Sequence, residues 1–128
     1  MKRAALIIEE HHCFAAKVAK SLSEKSRGLS HQRHWDGTPL VFLFRRPCRP
    51  SFWMHGMHFP LDLVWVYKGR IIGITQDAKP APSKQLLYNM LFLERHQPPQ
   101  KIDMVIELLS GESSRLGLQP GQRVMVQQ

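Results

Sequence analysis

The residues best suited to chemistry in this chain lie between Phe52 and Asp62. Two methionines alternate with two histidines in Met54-His55-Gly56-Met57-His58, and Pro60-Leu61-Asp62 follows soon after. Thioether sulfur and imidazole nitrogen are ligands that suit copper, and a carboxyl group beside aromatic rings can serve as a general base. The segment therefore allows three kinds of site: a metal centre, a catalytic site, or a binding site without a reaction.

The histidine spacing gives weak support for a metal centre. His31 and His34 repeat the three-residue interval that separates His55 from His58. On a helix this interval places both imidazoles on one face, whereas around Gly56 a turn would have to bring them together. No helical pair of histidines with a carboxylate, the pattern of many metalloenzymes, is present. We therefore expect no metal and no cofactor, and we expect His55 and His58 to face solvent.

Asp62 is the best candidate for a catalytic group, with His55 or His58 as its partner in a small hydrolase or transferase. The sequence contains no nucleophile elbow, no cysteine in a nucleophile motif and no phosphate-binding glycine loop. Buried charged groups in proteins are normally paired. The sequence therefore favours a structural role for Asp62, with Arg27 as a candidate partner, and leaves open whether the protein is an enzyme.

The net charge of +8 is the clearest compositional signal and favours contact with anionic surfaces. Arg45, Arg46 and Arg49 precede Phe52 and Trp53, and basic groups beside exposed aromatic rings can hold single-stranded nucleic acid. Large aromatic side chains in a small domain are more often buried for packing. Nucleic acid is therefore the weaker candidate partner.

Hydrophobic alternation predicts a chain composed mainly of strands, with Lys68-Gly69 as a hairpin turn. Short helices are predicted after a capping box at Ser21–Glu24 and after Ser110. Between residues 77 and 100 the leucine spacing allows a short amphipathic helix or an irregular covering loop. The pattern indicates a β-rich α+β fold, either a small barrel or a curled antiparallel sheet with two or three short helices. The predicted strands cover residues 13–19, 40–44, 51–55, 61–67, 70–75, 101–109 and 123–126.

The length of 128 residues fits a single domain, 1–128, that can bury a core without staples. Cys13 and Cys48 are too few for a disulfide framework and are interpreted as reduced thiols. The apolar run near the N-terminus stops at Glu9-Glu10, which is too short for a signal peptide. No run approaches the ~18 apolar residues of a membrane span. These features predict a cytoplasmic protein.

Four stretches in this order resemble the family called domain of unknown function 192, an uncharacterised bacterial and archaeal group. The resemblance covers about residues 12 to 126 and implies a small β-rich fold of barrel type with no assigned reaction. His55-Gly56-Met57 departs from the family pattern, because relatives usually carry a Lys-Asn-Thr-like stretch there. The four stretches are Glu24–Leu29, Phe52–Met54, Pro60–Asp62, and Val105–Glu107 leading to Leu116–Gly121.

We interpret the chain as a non-catalytic module that recognises a small ligand or a protein partner, of unknown oligomeric state. Apolar recesses with a few polar groups at the rim are typical of ligand sites. The sequence therefore predicts that Trp53 and Asp62 border one opening on the β scaffold. The candidate binding residues are Arg27, Trp53, Met54, His55, His58, Pro60 and Asp62.

Overall fold

The structure is a computed structural model that describes residues 1–20, 34–81, 85–92 and 95–128. Over these ranges the chain is mainly β, as predicted, with two short helices. The predicted capping box at Ser21–Glu24 lies outside the described residues. The elements are β1 (Lys2–Ile8), β2 (His12–Ala19), β3 (Leu40–Cys48), β4 (Phe52–Trp53), β5 (Leu61–Tyr67), β6 (Arg70–Ala78), α1 (Leu86–Phe92), β7 (Arg95–His96), β8 (Ile102–Leu109), α2 (Glu112–Arg115) and β9 (Val124–Gln127).

Seven strands form one curled sheet in the order β6-β5-β8-β3-β2-β1-β9, and β4 pairs with β7 in a separate ribbon. The two edge strands of the large sheet approach each other at one end, where Arg70 forms a bridge with Arg123. There the Ile71 amide donates to the Gln122 carbonyl at 2.9 Å. The result is a half-barrel, which confirms the predicted curled sheet. One pair, β2 with β3, is parallel, because the long connection between them permits a crossover.

An apolar cluster lies on each face of the sheet. The first cluster draws side chains from all seven strands and fills the inside of the curl. The second covers the outer face, where Met54, Trp35 and Phe59 pack over β3, β5 and β8. Strand β5 is therefore buried on both faces: Leu61, Leu63 and Trp65 belong to the outer cluster, and Val64 and Val66 to the inner one.

The N-terminal strand β1 was not predicted, since its apolar run was compared only with a signal peptide and was too short for one. It pairs with both β2 and β9, and Leu6 and Ile8 are fully buried in the inner cluster. Strand β1 ends before Glu9 and Glu10, because both residues take left-handed φ values, of 53° and 65°. Two such residues form the turn type that suits the twist of a tight hairpin.

The predicted cap of the second helix was wrong. Gly111, with φ of 92°, occupies the N-cap of α2, and no side chain caps the helix locally. The Ser110 hydroxyl instead donates to Asp77 Oδ1 at 2.7 Å. The predicted strand at 51–55 is also shorter, since β4 ends at Trp53 and the chain turns at His55 and Gly56. Between residues 77 and 100 the allowed short helix is present as α1, and β7 follows it among the described residues.

Candidate functional site

Trp53 lies in the ribbon of β4 and β7, on the side that faces away from the core. Its neighbour Phe52 points inward, with its ring centroid 5.8 Å from Phe42 and 5.7 Å from Trp65. Because side chains alternate along a strand, the Trp53 indole is directed outward, where it stays half-buried. The ribbon thus holds one aromatic ring in the core and presents the other near the surface.

The Trp53 indole is flanked by a guanidinium and an imidazole. Arg95 is opposite Trp53 in the ribbon, and its Cζ atom lies 4.5 Å from the indole centroid, within range of a cation–π interaction. The His55 ring stacks on the indole with centroids 5.0 Å apart and planes 28° apart. The turn at His55 and Gly56, where φ is 78°, folds the imidazole back over the indole.

Helix α1 is joined to this cluster by a buried side chain. Asn89 is completely buried, and its Nδ2 atom lies 2.6 Å from His55 Nδ1, which is a hydrogen bond. The large apolar residues around Asn89 remain exposed. We call Trp53, His55, Arg95 and these exposed α1 side chains the Trp53–α1 surface. The α1 side chains are Leu86 (54% exposed), Leu87 (69%), Tyr88 (47%), Met90 (57%) and Leu91 (67%).

Met54 and Pro60 hold the segment between β4 and β5 in place. Met54 is buried in the outer cluster, and its carbonyl accepts hydrogen bonds from the amides of Met57 and Ala81 at 3.2 and 3.3 Å. The Pro60 carbonyl accepts from the Ser110 amide at 3.3 Å. These contacts fix the backbone on both sides of the His55 turn. Met54 therefore supports the Trp53–α1 surface from the core and is not part of that surface.

The histidines and methionines of this segment do not converge on one point. Met54 faces the core, while His55 stacks on Trp53 and His58 is exposed. Over the described ranges, no group of three histidine, cysteine, aspartate or glutamate residues could hold a metal ion.

Asp62, the second residue of β5, is buried and holds two other chain segments in place. Only 1% of it is exposed. Its Oδ1 atom accepts from the Asp77 amide at 2.9 Å. Its Oδ2 atom accepts from the Gly111 amide at 3.1 Å, the Ser113 amide at 3.0 Å and the Ser113 hydroxyl at 2.6 Å. Asp62 therefore caps α2 from a distant strand and takes over the role expected of Ser110.

The Asp77 amide depends on Asp62 because of a β-bulge. The β5–β6 register shifts between Leu61 and Leu63, and Asp77 has a left-handed φ of 55°. A bulged residue loses its regular strand partner, so the Asp77 amide, in a partly buried position, needs another acceptor. The Asp62 carboxyl supplies that acceptor.

The opening shared by Trp53 and Asp62 stays a prediction; Asp62 itself is buried and bonded to Asp77 and to the start of α2. Leu61 and Leu63 face the outer cluster with Met54, so Asp62 between them faces the opposite side. Of the predicted site residues, the structure brings together Trp53 and His55. Arg27 lies outside the described residues.

Arg95, Asn89 and α1 were missed as site components. Leucine and methionine spacing did indicate a helix in this region, and that was the only available signal.

The comparisons with known proteins identify a family but no activity. The family model of domain of unknown function 192 (DUF192), described as "Uncharacterized ACR", matches residues 5–126. The chain belongs to this family. No curated protein matches it. Among the described residues, no helix is long and apolar enough to cross a membrane.

Two solved structures share the fold. A protein of unknown function from Novosphingobium aromaticivorans DSM 12444 is 23% identical, with a TM-score of 0.80, over 96% of this chain and 84% of the other. A protein from Sinorhizobium meliloti 1021, described as a "putative transcription regulator", is 21% identical, with a TM-score of 0.81, over 98% of this chain and 94% of the other. At these identities the likeness shows the fold alone.

One stretch that resembles the DUF192 pattern contains a buried acid, Glu107. It lies on the central strand β8, in register with Leu40 on one side and Leu63 on the other. Glu107 is 6% exposed, and its Oε2 atom has no hydrogen-bond partner among the described residues. Burial of the carboxyl raises its pKa from 4.5 to about 8, because a low-dielectric interior disfavours the charged form.

A cavity of about 310 Å³ lies at the other end of the half-barrel, between the turns that follow β1 and β5. Both acids of its lining pair with Arg123: Arg123 Nε is 3.3 Å from Glu9 Oε2, and Arg123 Nη2 is 3.7 Å from Glu10 Oε1. Hydrogen bonds from Arg123 lower the pKa of Glu9. This paired arrangement leaves the cavity a weaker candidate than the Trp53–α1 surface.

Proposed function

We propose that this DUF192 protein is a non-catalytic binding module and that it recognises its partner through the Trp53–α1 surface. The observation that carries the proposal is the exposure of five large apolar side chains on the short helix α1. Continuous apolar patches on a protein surface commonly mark interaction sites. The tie from Asn89 to His55 orients this helix beside Trp53, so the patch has a defined geometry.

The partner that fits this surface combines apolar groups with negative charge. Arg95 is exposed and sits over Trp53. Arg49 is also exposed and donates to the Pro98 carbonyl at 3.0 Å, just after β7. The chain as a whole carries +8. Apolar groups of the partner would contact α1 while its anionic groups meet these guanidinium groups.

The catalytic alternative has little support in the geometry. Asp62 would have to reach a substrate together with His55 or His58. It is instead buried and already accepts four hydrogen bonds. A general base must come within hydrogen-bond reach of the proton that it removes, and Asp62 has no such access.

The nucleic-acid alternative is weaker for a different reason. Arg45 and Arg46 are exposed on β3, but Phe52 packs against Phe42 and Trp65. Of the two aromatic rings that follow these arginines, Trp53 alone is left for a base to stack on. We keep this alternative as an outcome of the binding experiment below.

We also propose a cytoplasmic location. Cys13 and Cys48 are both free thiols, and Cys13 is exposed. Exposed free thiols are more usual in a reducing compartment than in an oxidising one.

The surface can be tested by NMR, because the three tryptophan indoles report on three environments. The Trp35 Nε1–H donates to the Thr38 carbonyl and the Trp65 Nε1–H donates to Thr75 Oγ1, both at 3.0 Å. We expect decanoate below its micelle concentration, or an acidic amphipathic peptide, to shift the Trp53 indole and the α1 amides. The Trp65 indole signal should stay in place because Trp65 is fully buried, and so should that of Trp35, whose half-buried ring stacks on Phe59.

The test variant is Trp53→Ala, which should weaken binding of the same probe by about tenfold, the loss expected for one aromatic contact. A single-stranded oligonucleotide serves as the third probe. Shifts confined to the cavity near Arg123, or caused by the oligonucleotide alone, would contradict the proposal. So would the absence of any shift at Trp53 and α1 with decanoate and peptide.

A further inference from the structure

We propose that the partner of the Trp53–α1 surface is an anionic lipid bilayer, with α1 lying flat in the headgroup region. This inference rests on the proposed function and names the partner class. It concerns binding to a membrane surface only, since α1 has seven residues and a spanning helix needs about 20.

The first argument is the width of the apolar face. With 3.6 residues per turn, the exposed positions 86, 87, 88, 90 and 91 cover an arc of about 200°. A helix that docks in a protein groove usually presents a narrower stripe at i, i+3, i+4 and i+7. A broad arc can be covered evenly by lipid, which moulds itself around side chains.

The second argument is the kind of residue on this face. Leucine and methionine side chains enter the boundary between headgroups and acyl chains, and tyrosine is enriched at that depth because its ring is apolar and its hydroxyl is polar. Tyr88 is 47% exposed at the edge of the arc. The sequence of α1 carries no charge, and Asn89, its amide residue, is turned inward.

The third argument is charge. A second copy of this chain would bring another +8 against the first, so self-association through this face is opposed by repulsion. An anionic bilayer attracts the same charge. Beside the helix, exposed Arg95 lies over Trp53. The only acid in residues 84–96 of the sequence is Glu94.

The inference is tested by sedimentation with lipid vesicles. We expect the protein to bind vesicles of phosphatidylcholine mixed with phosphatidylglycerol at least about tenfold more tightly than vesicles of phosphatidylcholine alone. Binding should weaken as salt is raised, because screening shortens the reach of the basic groups.

The matched variants separate α1 from other exposed apolar groups. Leu87→Ser combined with Leu91→Ser should reduce binding to anionic vesicles by about tenfold or more, since both side chains leave the apolar arc. Met125→Ser is the control, because Met125 on β9 is 54% exposed and lies outside the surface. Unchanged far-ultraviolet circular dichroism and indole signals establish that each variant is folded.

Two results would overturn the lipid inference: equal binding to neutral and anionic vesicles, or anionic binding that survives the double serine substitution. The proposed function fails separately. If decanoate or the acidic peptide shifts Trp53 and α1 while vesicles do not bind, the surface is a binding site for another partner and only the lipid inference is lost. If neither probe nor vesicle engages α1, both are lost.

Discussion

Replacing Asp62 with asparagine should destabilise the fold by about 2 to 5 kcal/mol while leaving the Trp53–α1 surface unchanged. The Asp62 carboxyl accepts four hydrogen bonds through two oxygens. Asparagine offers one oxygen and one NH₂ group, so either the Asp77 amide or the start of α2 faces a donor instead of an acceptor. Chemical denaturation at neutral pH measures the loss.

Ser113→Ala is the matched control for Asp62→Asn. It removes only the hydroxyl donor at 2.6 Å and should cost about 1 kcal/mol. In the double variant the two losses should not add, because both remove part of one hydrogen-bonded group. If Asp62→Asn keeps full stability but loses an activity or a ligand, Asp62 is a functional group and its structural assignment is wrong.

The position of Asp62 on its strand could be predicted, but its partners could not. Alternation along residues 61–67 correctly separated Asp62 from Leu61 and Leu63. The donors Gly111 and Ser113 are about 50 residues away in sequence, and no local pattern records which distant turn will meet a strand end. The sequence suggested Arg27 as a partner, and that residue lies outside the described ranges.

The strands were predictable where a run of strand-forming residues is bounded by a turn signal in the sequence. This holds for β5 and β6, whose Lys68-Gly69 turn has φ values of 48° and 74° and fits a tight hairpin. It fails for β1, because its short apolar run is equally compatible with a strand or with part of a leader. Only pairing with β2 and β9 decides between them.

The Trp53–α1 surface could be predicted only in part, because it also depends on contacts between residues far apart in sequence. The density of Trp53, Met54 and His55 drew attention to the right segment. Their separate roles follow from the turn at Gly56 and from the pairing of Trp53 with Arg95 across the ribbon. That pairing joins residues far apart in sequence, and it places a cation beside the Trp53 indole.

The native protein should become less stable as pH rises, and Glu107→Gln should abolish this loss of stability. The folded-state pKa of Glu107 is raised from 4.5 to about 8 by burial, so the fold binds this proton more tightly than the unfolded chain. The free energy of unfolding should therefore fall as pH increases from 4.5 to about 8 and stay low above that range. Each pKa unit corresponds to about 1.4 kcal/mol, so the total is on the order of a few kcal/mol.

The difference between the Glu107→Gln variant and the native protein isolates this effect, because every other ionisable group is common to both proteins. Above pH 8 the variant should be the more stable protein, because glutamine fills the same space without a buried charge. Well below pH 4.5 it should lose that advantage, since the native carboxyl is then neutral in both states. Glu112→Gln is the control: hydrogen bonding to Arg115 lowers the pKa of Glu112, so its contribution is lost only as pH falls into the acid range. Parallel pH profiles for Glu107→Gln and the native protein would mean that Glu107 is paired and charged in the fold, and that its carboxyl is not the isolated group that its surroundings on β8 indicate.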